Sequence, residues 1–105
     1  MQKRGMIDLD EYSKIFKALS DPFRLKIIMT LPKTNNCEDM YNVTELIEEL
    51  GGSQPNMSHH LGILKNAGLL KFEKVCNSTY FYVDQPKLDA ILKSFREAVF
   101  GSVCS

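Results

Sequence analysis

The stretch Val43-Thr44-Glu45-Leu46-Ile47-Glu48-Glu49-Leu50-Gly51-Gly52-Ser53-Gln54-Pro55-Asn56-Met57-Ser58-His59-His60-Leu61-Gly62-Ile63-Leu64-Lys65-Asn66-Ala67-Gly68 decides how the rest of the chain is read. From Val43 to Leu50, Leu46, Ile47 and Leu50 fall at helical spacing, and acidic residues occupy the other face. Gly51-Gly52 ends that helix and supplies a turn. Ser53 then caps a second helix, with Pro55 in its first turn. This helix is predicted to run to about Ala67, where Gly68 stops it. Met57, Leu61 and Leu64 lie along it at the spacing of one buried stripe.

Downstream, Leu69 to Val75 alternates loosely, and Thr79 to Val83 is aromatic and β-branched. Cys76-Asn77-Ser78 between them reads as a turn, which makes a β-hairpin. Pro86 opens a last helix carrying Leu88, Ile91, Leu92, Phe95 and Val99 at helical spacing. Upstream, Leu9, Tyr12, Ile15, Phe16 and Leu19 mark a first helix. Ser20-Asp21-Pro22 caps the next one, Phe23 to Leu31, which is expected to turn Leu25, Ile28 and Met29 inward and to stop at Pro32. Lys33 to Tyr41 reads as a long polar loop. A helix, a glycine turn, a second helix and a hairpin form the winged helix-turn-helix pattern. The expected fold is mainly α with a β-hairpin wing (α+β), five or so helices and one two-stranded hairpin. It occupies a single domain, 1–105, with the helix-turn-helix at 43–67 and the wing at 69–84.

A length of 105 residues suits one domain. A formal net charge of zero and a pI near 6.7 oppose a uniformly basic nucleic-acid binder. The distribution answers that objection. Residues 38–50 hold Glu38, Asp39, Glu45, Glu48 and Glu49 without a Lys or Arg, whereas residues 53–83 hold Lys65, Lys71 and Lys74 against Glu73. DNA contact needs only a locally positive face. No stretch approaches the roughly 20 apolar residues of a membrane span. No apolar h-region follows the basic start Met1-Gln2-Lys3-Arg4-Gly5, so a cytoplasmic address without a membrane partner is expected. The cysteines Cys37, Cys76 and Cys104 form no CxxC and no zinc-finger spacing. Their odd number argues against a disulfide framework. With no nucleophile motif and no phosphate-cradling glycine loop, no enzyme is expected.

Three motifs carry a resemblance to the ArsR/SmtB repressors. Ala18-Leu19-Ser20-Asp21-Pro22-Phe23-Arg24-Leu25-Lys26-Ile27-Ile28 resembles their ALADPTRLRIL segment. Val43-Thr44-Glu45-Leu46 followed by Ser53-Gln54-Pro55-Asn56-Met57-Ser58-His59-His60-Leu61 resembles their first helix and SQ-x-x-x-SHHL recognition helix. Leu64-Lys65-Asn66-Ala67-Gly68-Leu69-Leu70 resembles their L-x-x-AGLV exit into the wing. The motifs stand in the right order and at the right intervals over about residues 10 to 100.

The resemblance implies a DNA-binding transcriptional repressor that an inducer releases from its operator. It implies a homodimer whose interface is formed by the first and last helices, 9–19 and 86–100. The partner is then double-stranded DNA with an inverted repeat, its half-sites about one helical turn apart. The buried stripe leaves Gln54, Asn56, Ser58, His59 and Gly62 facing outward. Gln and Asn can pair with the N6 and N7 of adenine, and Ser58 and His59 can meet a base edge or a phosphate. His60 flanks the stripe and reads either as a packed histidine or as a base reader. Ser53 and Lys65 complete the helix set, and Lys71, Lys74, Asn77 and Ser78 form the wing set. A winged-helix module that binds protein is a rival reading. The neutral pI favours it, and the polar outward face opposes it.

The sensing mode stays open on these residues. One family metal site uses a Cys-x-Cys where this chain has Asn42 and Thr44. Another uses Asp-x-His and a later His pair where this chain has Asp84-Gln85-Pro86 and Glu97-Ala98-Val99-Phe100. No metal site of either type and no cofactor is therefore expected. Some members sense oxidants or persulfides with one Cys in the second helix and one in the last. Here Met29 holds the second-helix position, and Cys37 and Cys104 are the candidate pair. The alternatives are two unrelated thiols, or a thiolate site for arsenite or a soft metal that Cys76 could join.

Overall fold

In the computed structural model, residues 9–33 and 39–101 are described. The elements are α1 (Leu9–Leu19), α2 (Pro22–Thr30), α3 (Val43–Leu50), α4 (Gln54–Asn66), β1 (Leu70–Val75), β2 (Ser78–Val83) and α5 (Gln85–Phe100). Among the described residues, five helices and one antiparallel hairpin form a winged helix-turn-helix fold.

Helices α2 to α5 each start where a side chain can satisfy orphan N–H groups. Asp21 Oδ1 accepts from the N–H of Phe23 at 2.8 Å and of Arg24 at 3.3 Å, ahead of Pro22. Partial loss of water around this carboxyl pushes its pKa up. The Phe23 and Arg24 N–H donors, the Arg24 guanidinium and the nearby His60 outweigh that and hold it below the usual carboxylate value. The cap therefore stabilises above the usual carboxylate range and fails as the pH falls through the lowered pKa. Asn42 and Glu45 form a capping box, with reciprocal bonds of 2.8 and 3.0 Å. Ser53 Oγ accepts from the N–H of Asn56 at 3.2 Å, and Asp84 Oδ1 from that of Lys87 at 3.2 Å. Gly51 and Gly52 both take positive φ, 87° and 96°, so the α3–α4 turn needs residues without a Cβ.

Ile15, Ala18, Ile27, Leu31, Leu46, Met57, Leu61, Leu64, Leu69 and Ile91 pack into one core that also takes in Phe81 and Val83 of the wing. The stripe Met57, Leu61 and Leu64 lies at its centre, as the spacing predicts. Helix α2 corrects one expectation. Ile27 and Leu31 are buried and Ile28 is partly so, but Leu25 and Met29 face outward. Apolar residues run almost continuously through this short helix, so its periodicity does not select a face; contact with the core does.

The wing pairs Leu70 with Val83 through to Val75 with Ser78. Its turn is two residues, Cys76-Asn77, with Cys76 at φ 57°, and Ser78 belongs to the strand instead of the turn. The free edge of β2 is held by the main chain of the preceding loop. The Phe81 N–H donates to the Tyr41 carbonyl at 2.8 Å, and that of Val83 to Pro32 at 2.7 Å. These bonds fix the root of the wing against the domain.

Helix α5 contrasts with the rest. Of its residues only Ile91 is buried. It meets α1 through Phe95, whose ring stands edge-on to Tyr12 and Phe16 at centroid distances of 5.5 and 4.7 Å. A hydroxyl pair between Tyr12 and Ser94 and a Lys87–Glu11 ion pair of 3.1 Å join the same helices. Leu92, Val99 and Phe100 remain exposed, as does Leu9 at the start of α1.

Candidate nucleic-acid interface

Once the 57-61-64 stripe faces the core, helical geometry dictates what the other side of α4 presents. Asn56, Ser58 and His59 are exposed there, and Gln54, on the stripe's side, is exposed in the first turn of the helix. Ser53 is exposed too, but its hydroxyl is engaged in capping the helix. The cap marks the N-terminus of α4, the end that a recognition helix brings to base edges.

The wing continues this surface. Lys71, Lys74 and Asn77 are exposed and Ser78 is half-buried. Between α4 and the wing runs a groove of about 400 Å³ lined by Ser58 and Lys65 from the helix and by Phe72, Lys74 and Thr79 from the hairpin. Lys65 sits 4.4 Å above the centre of the Phe72 ring, a cation–π contact that keeps its ammonium over the groove. A second depression places Lys65 beside Lys71. The structure thus brings Ser58, Lys65 and Lys74 together on one groove.

Four acidic residues gather elsewhere. Asp39, Glu45, Glu48 and Glu49 line a depression with Met40 and Tyr41. A chain without net charge thus carries one acidic depression and, apart from it, a groove whose lining holds Lys65 and Lys74 and no acidic residue.

His60 departs from its neighbours. It is half-buried, and its Nδ1 lies 3.1 Å from Arg24 Nη1. The Phe23 ring packs 5.2 Å from it and the His59 ring 5.7 Å. Arg24 is the functional candidate that the sequence pattern missed. It stands within the segment quoted for the resemblance, but periodicity says nothing about a side chain reaching a residue 36 positions away. Thr79 and Phe72 were missed for the same reason.

Cys37 and Cys104 lie outside the described residues. Cys76 is exposed at the wing turn, and no group of three or more His, Cys, Asp or Glu side chains among the described residues is placed to hold a metal ion. Asp84, the residue left over from one family metal motif, serves as the N-cap of α5. No helix among the described residues is long and apolar enough to cross a membrane.

Known proteins share this architecture. The family described as bacterial regulatory protein, arsR family, matches residues 21–71, from the α2 cap to the first wing strand. An HTH-type transcriptional regulator from Methanocaldococcus jannaschii is 37% identical over 89 residues, covering 81% of this chain and 94% of that protein. A biofilm growth-associated repressor from Xylella fastidiosa is 29% identical over 87 residues, 83% of this chain and 68% of that one. An ArsR-like transcriptional regulator from Rhodococcus sp. RHA1 superposes with a TM-score of 0.73 over 85% of this chain and 79% of that chain; at 22% identity it shows the fold alone. These relatives are transcriptional regulators, not enzymes, and the matched segment contains the capped turn and the polar helix face described above. The chain belongs to the ArsR family of DNA-binding transcriptional regulators.

Proposed function

We propose that this protein is a homodimeric, sequence-specific repressor that binds an inverted-repeat operator in double-stranded DNA. The observation that carries the reading is one surface: exposed Gln54, Asn56, Ser58 and His59 on α4, continuous with a lysine-lined groove and the wing. In this reading α4 enters the major groove. Gln54 and Asn56 pair with adenine edges, and Ser58 and His59 take base or phosphate acceptors. Ser53 contributes its helix N-terminus. Lys65, Lys71, Lys74, Asn77 and Ser78 bind backbone phosphates, which supply most of the affinity. His60 is half-buried beside this face and is treated below.

Phosphate binding makes a quantitative prediction. The double variant Lys71→Gln/Lys74→Gln should weaken binding to all DNA sequences alike. It should also flatten the plot of log affinity against log salt by about one unit for each phosphate that the wing no longer neutralises. Fluorescence anisotropy over a salt series measures both. An unchanged slope would remove the wing from the interface.

The dimer places the α4 helices of two copies on successive major grooves, with α1 and α5 as the contact. The exposed apolar residues Leu9, Leu92, Val99 and Phe100 support that assignment. Release is assigned to thiol chemistry at Cys37 and Cys104, supported by their sequence positions, Cys37 in the segment between α2 and α3 and Cys104 shortly after α5. Polysulfide or a mild disulfide-forming oxidant should then abolish DNA binding reversibly. The Cys37→Ser and Cys104→Ser variants should keep binding under the same treatment. If oxidation leaves the wild type bound while arsenite or cadmium releases it, the switch is a soft-metal thiolate site instead.

A further inference from the structure

One side chain ties three helices together. Arg24, at the start of α2, donates from Nε to the Ala18 carbonyl at 2.7 Å and from Nη2 to the Lys17 carbonyl at 3.4 Å. Both carbonyls lie at the C-terminal end of α1, where the last C=O groups of a helix lack internal partners. The third arm, Nη1, reaches His60 Nδ1 on α4 at 3.1 Å.

In the neutral imidazole, the chemistry of the pair selects the tautomer. A guanidinium offers only N–H donors, stays charged in proteins and accepts nothing. A hydrogen bond to Nδ1 therefore requires a lone pair there. A neutral imidazole with a bare Nδ1 carries its proton on Nε2. Nε2 makes no hydrogen bond among the described residues, and the ring is only half-buried, wedged between Phe23 and His59. Arg24 thus occupies the accepting side of the ring and leaves the donating side unused.

We propose that Arg24 is a positioning residue that holds His60 as the Nε2–H tautomer. His60 then meets DNA as a hydrogen-bond donor only, selecting an acceptor such as a purine N7 or a phosphate oxygen and rejecting the amino groups of adenine and cytosine. The DNA half of this proposal rests on the reading of α4 as the recognition helix; the tautomer half does not. The guanidinium also fixes the pose of the donor, because it is itself held by the α1 carbonyls. His60 is consequently a reader whose chemistry is set from behind the interface.

The tautomer is measured on the free, full-length, ¹⁵N-labelled protein by long-range ¹H–¹⁵N correlation through the imidazole carbons at neutral pH. The expected result is a single Nε2–H form for His60, with the Nδ1–H form mixed in once Arg24→Met removes the donor. A His60 that carries its proton on Nδ1 in the wild type overturns the proposal without any variant. So does a tautomer that Arg24→Met leaves unchanged. The DNA half is read by anisotropy on the DNA upstream of the protein's own gene. His60→Gln keeps an amide donor near the Nε2 position and should bind within about threefold of wild type. His60→Asn keeps an amide only on the Nδ1 side and should lose roughly tenfold, the scale of one hydrogen bond. Equal loss in both variants overturns the donor role. A wild type that does not bind this DNA overturns the repressor reading and the DNA half with it, while the tautomer is still decided by the spectrum.

Discussion

Replacing Leu92 and Val99 together with glutamate is expected to produce a monomer and to weaken operator binding roughly 100-fold or more. Helix α5 buries only Ile91 in its own domain, while Leu92 is 48% exposed and Val99 56%. Neither residue belongs to the core, so the substitutions should leave the fold intact. In a two-fold dimer each new carboxylate faces the same apolar surface on the partner, where an unpaired charge is costly to bury. The DNA effect follows from the geometry of two half-sites. Once one subunit is bound, its partner sees the second half-site at an effective concentration near millimolar, and a monomer forfeits that gain. Sedimentation equilibrium and anisotropy on the same preparation separate the two effects. A variant that stays dimeric would show that α5 is not the contact.

Leu64→Ala should be the most damaging single truncation on α4. Leu64 is fully buried at the centre of the core. Removing a side chain of that size from such a site typically costs about 2–5 kcal/mol, the sum of forfeited transfer energy and a residual cavity. For a domain of this length that lowers the melting temperature by on the order of 10 °C or more. Gln54→Ala, in the exposed first turn of the same helix, should leave the melting temperature unchanged and weaken only DNA binding. Thermal unfolding followed by circular dichroism, at one fixed protein concentration because the proposed dimer would make stability concentration-dependent, makes the comparison. A neutral Leu64→Ala would mean that the stripe does not anchor the recognition helix.

Much of the fold was legible because local rules and global packing agree. The 57-61-64 stripe, the Gly51-Gly52 turn and the caps Asp21 and Ser53 each specify the same arrangement. Two readings needed the structure. In α2, Leu25, Ile27, Ile28 and Met29 are all apolar, so only the position of the core shows that Ile27 is inside and Met29 outside. At the wing turn, Cys76 adopts a left-handed conformation that is uncommon for a residue with a Cβ, and the turn is one residue shorter than its composition suggests.

The candidate interface was legible in outline for the same reason: a buried stripe implies the face opposite it. The posture of His60 was not. It depends on a guanidinium that arrives from α2, and such a long-range contact leaves no period or spacing in the chain. The shared groove of Ser58, Lys65 and Lys74 likewise follows from how the hairpin docks on α4.

The most direct test of the repressor reading is fluorescence anisotropy of the full chain on the DNA upstream of its own gene, against a scrambled duplex, over a salt series. The predicted result is two chains per inverted repeat, clear preference for the native sequence, and affinity that falls linearly in log salt with a steep slope. Equal affinity for both duplexes, or no salt-dependent binding to either, would contradict it.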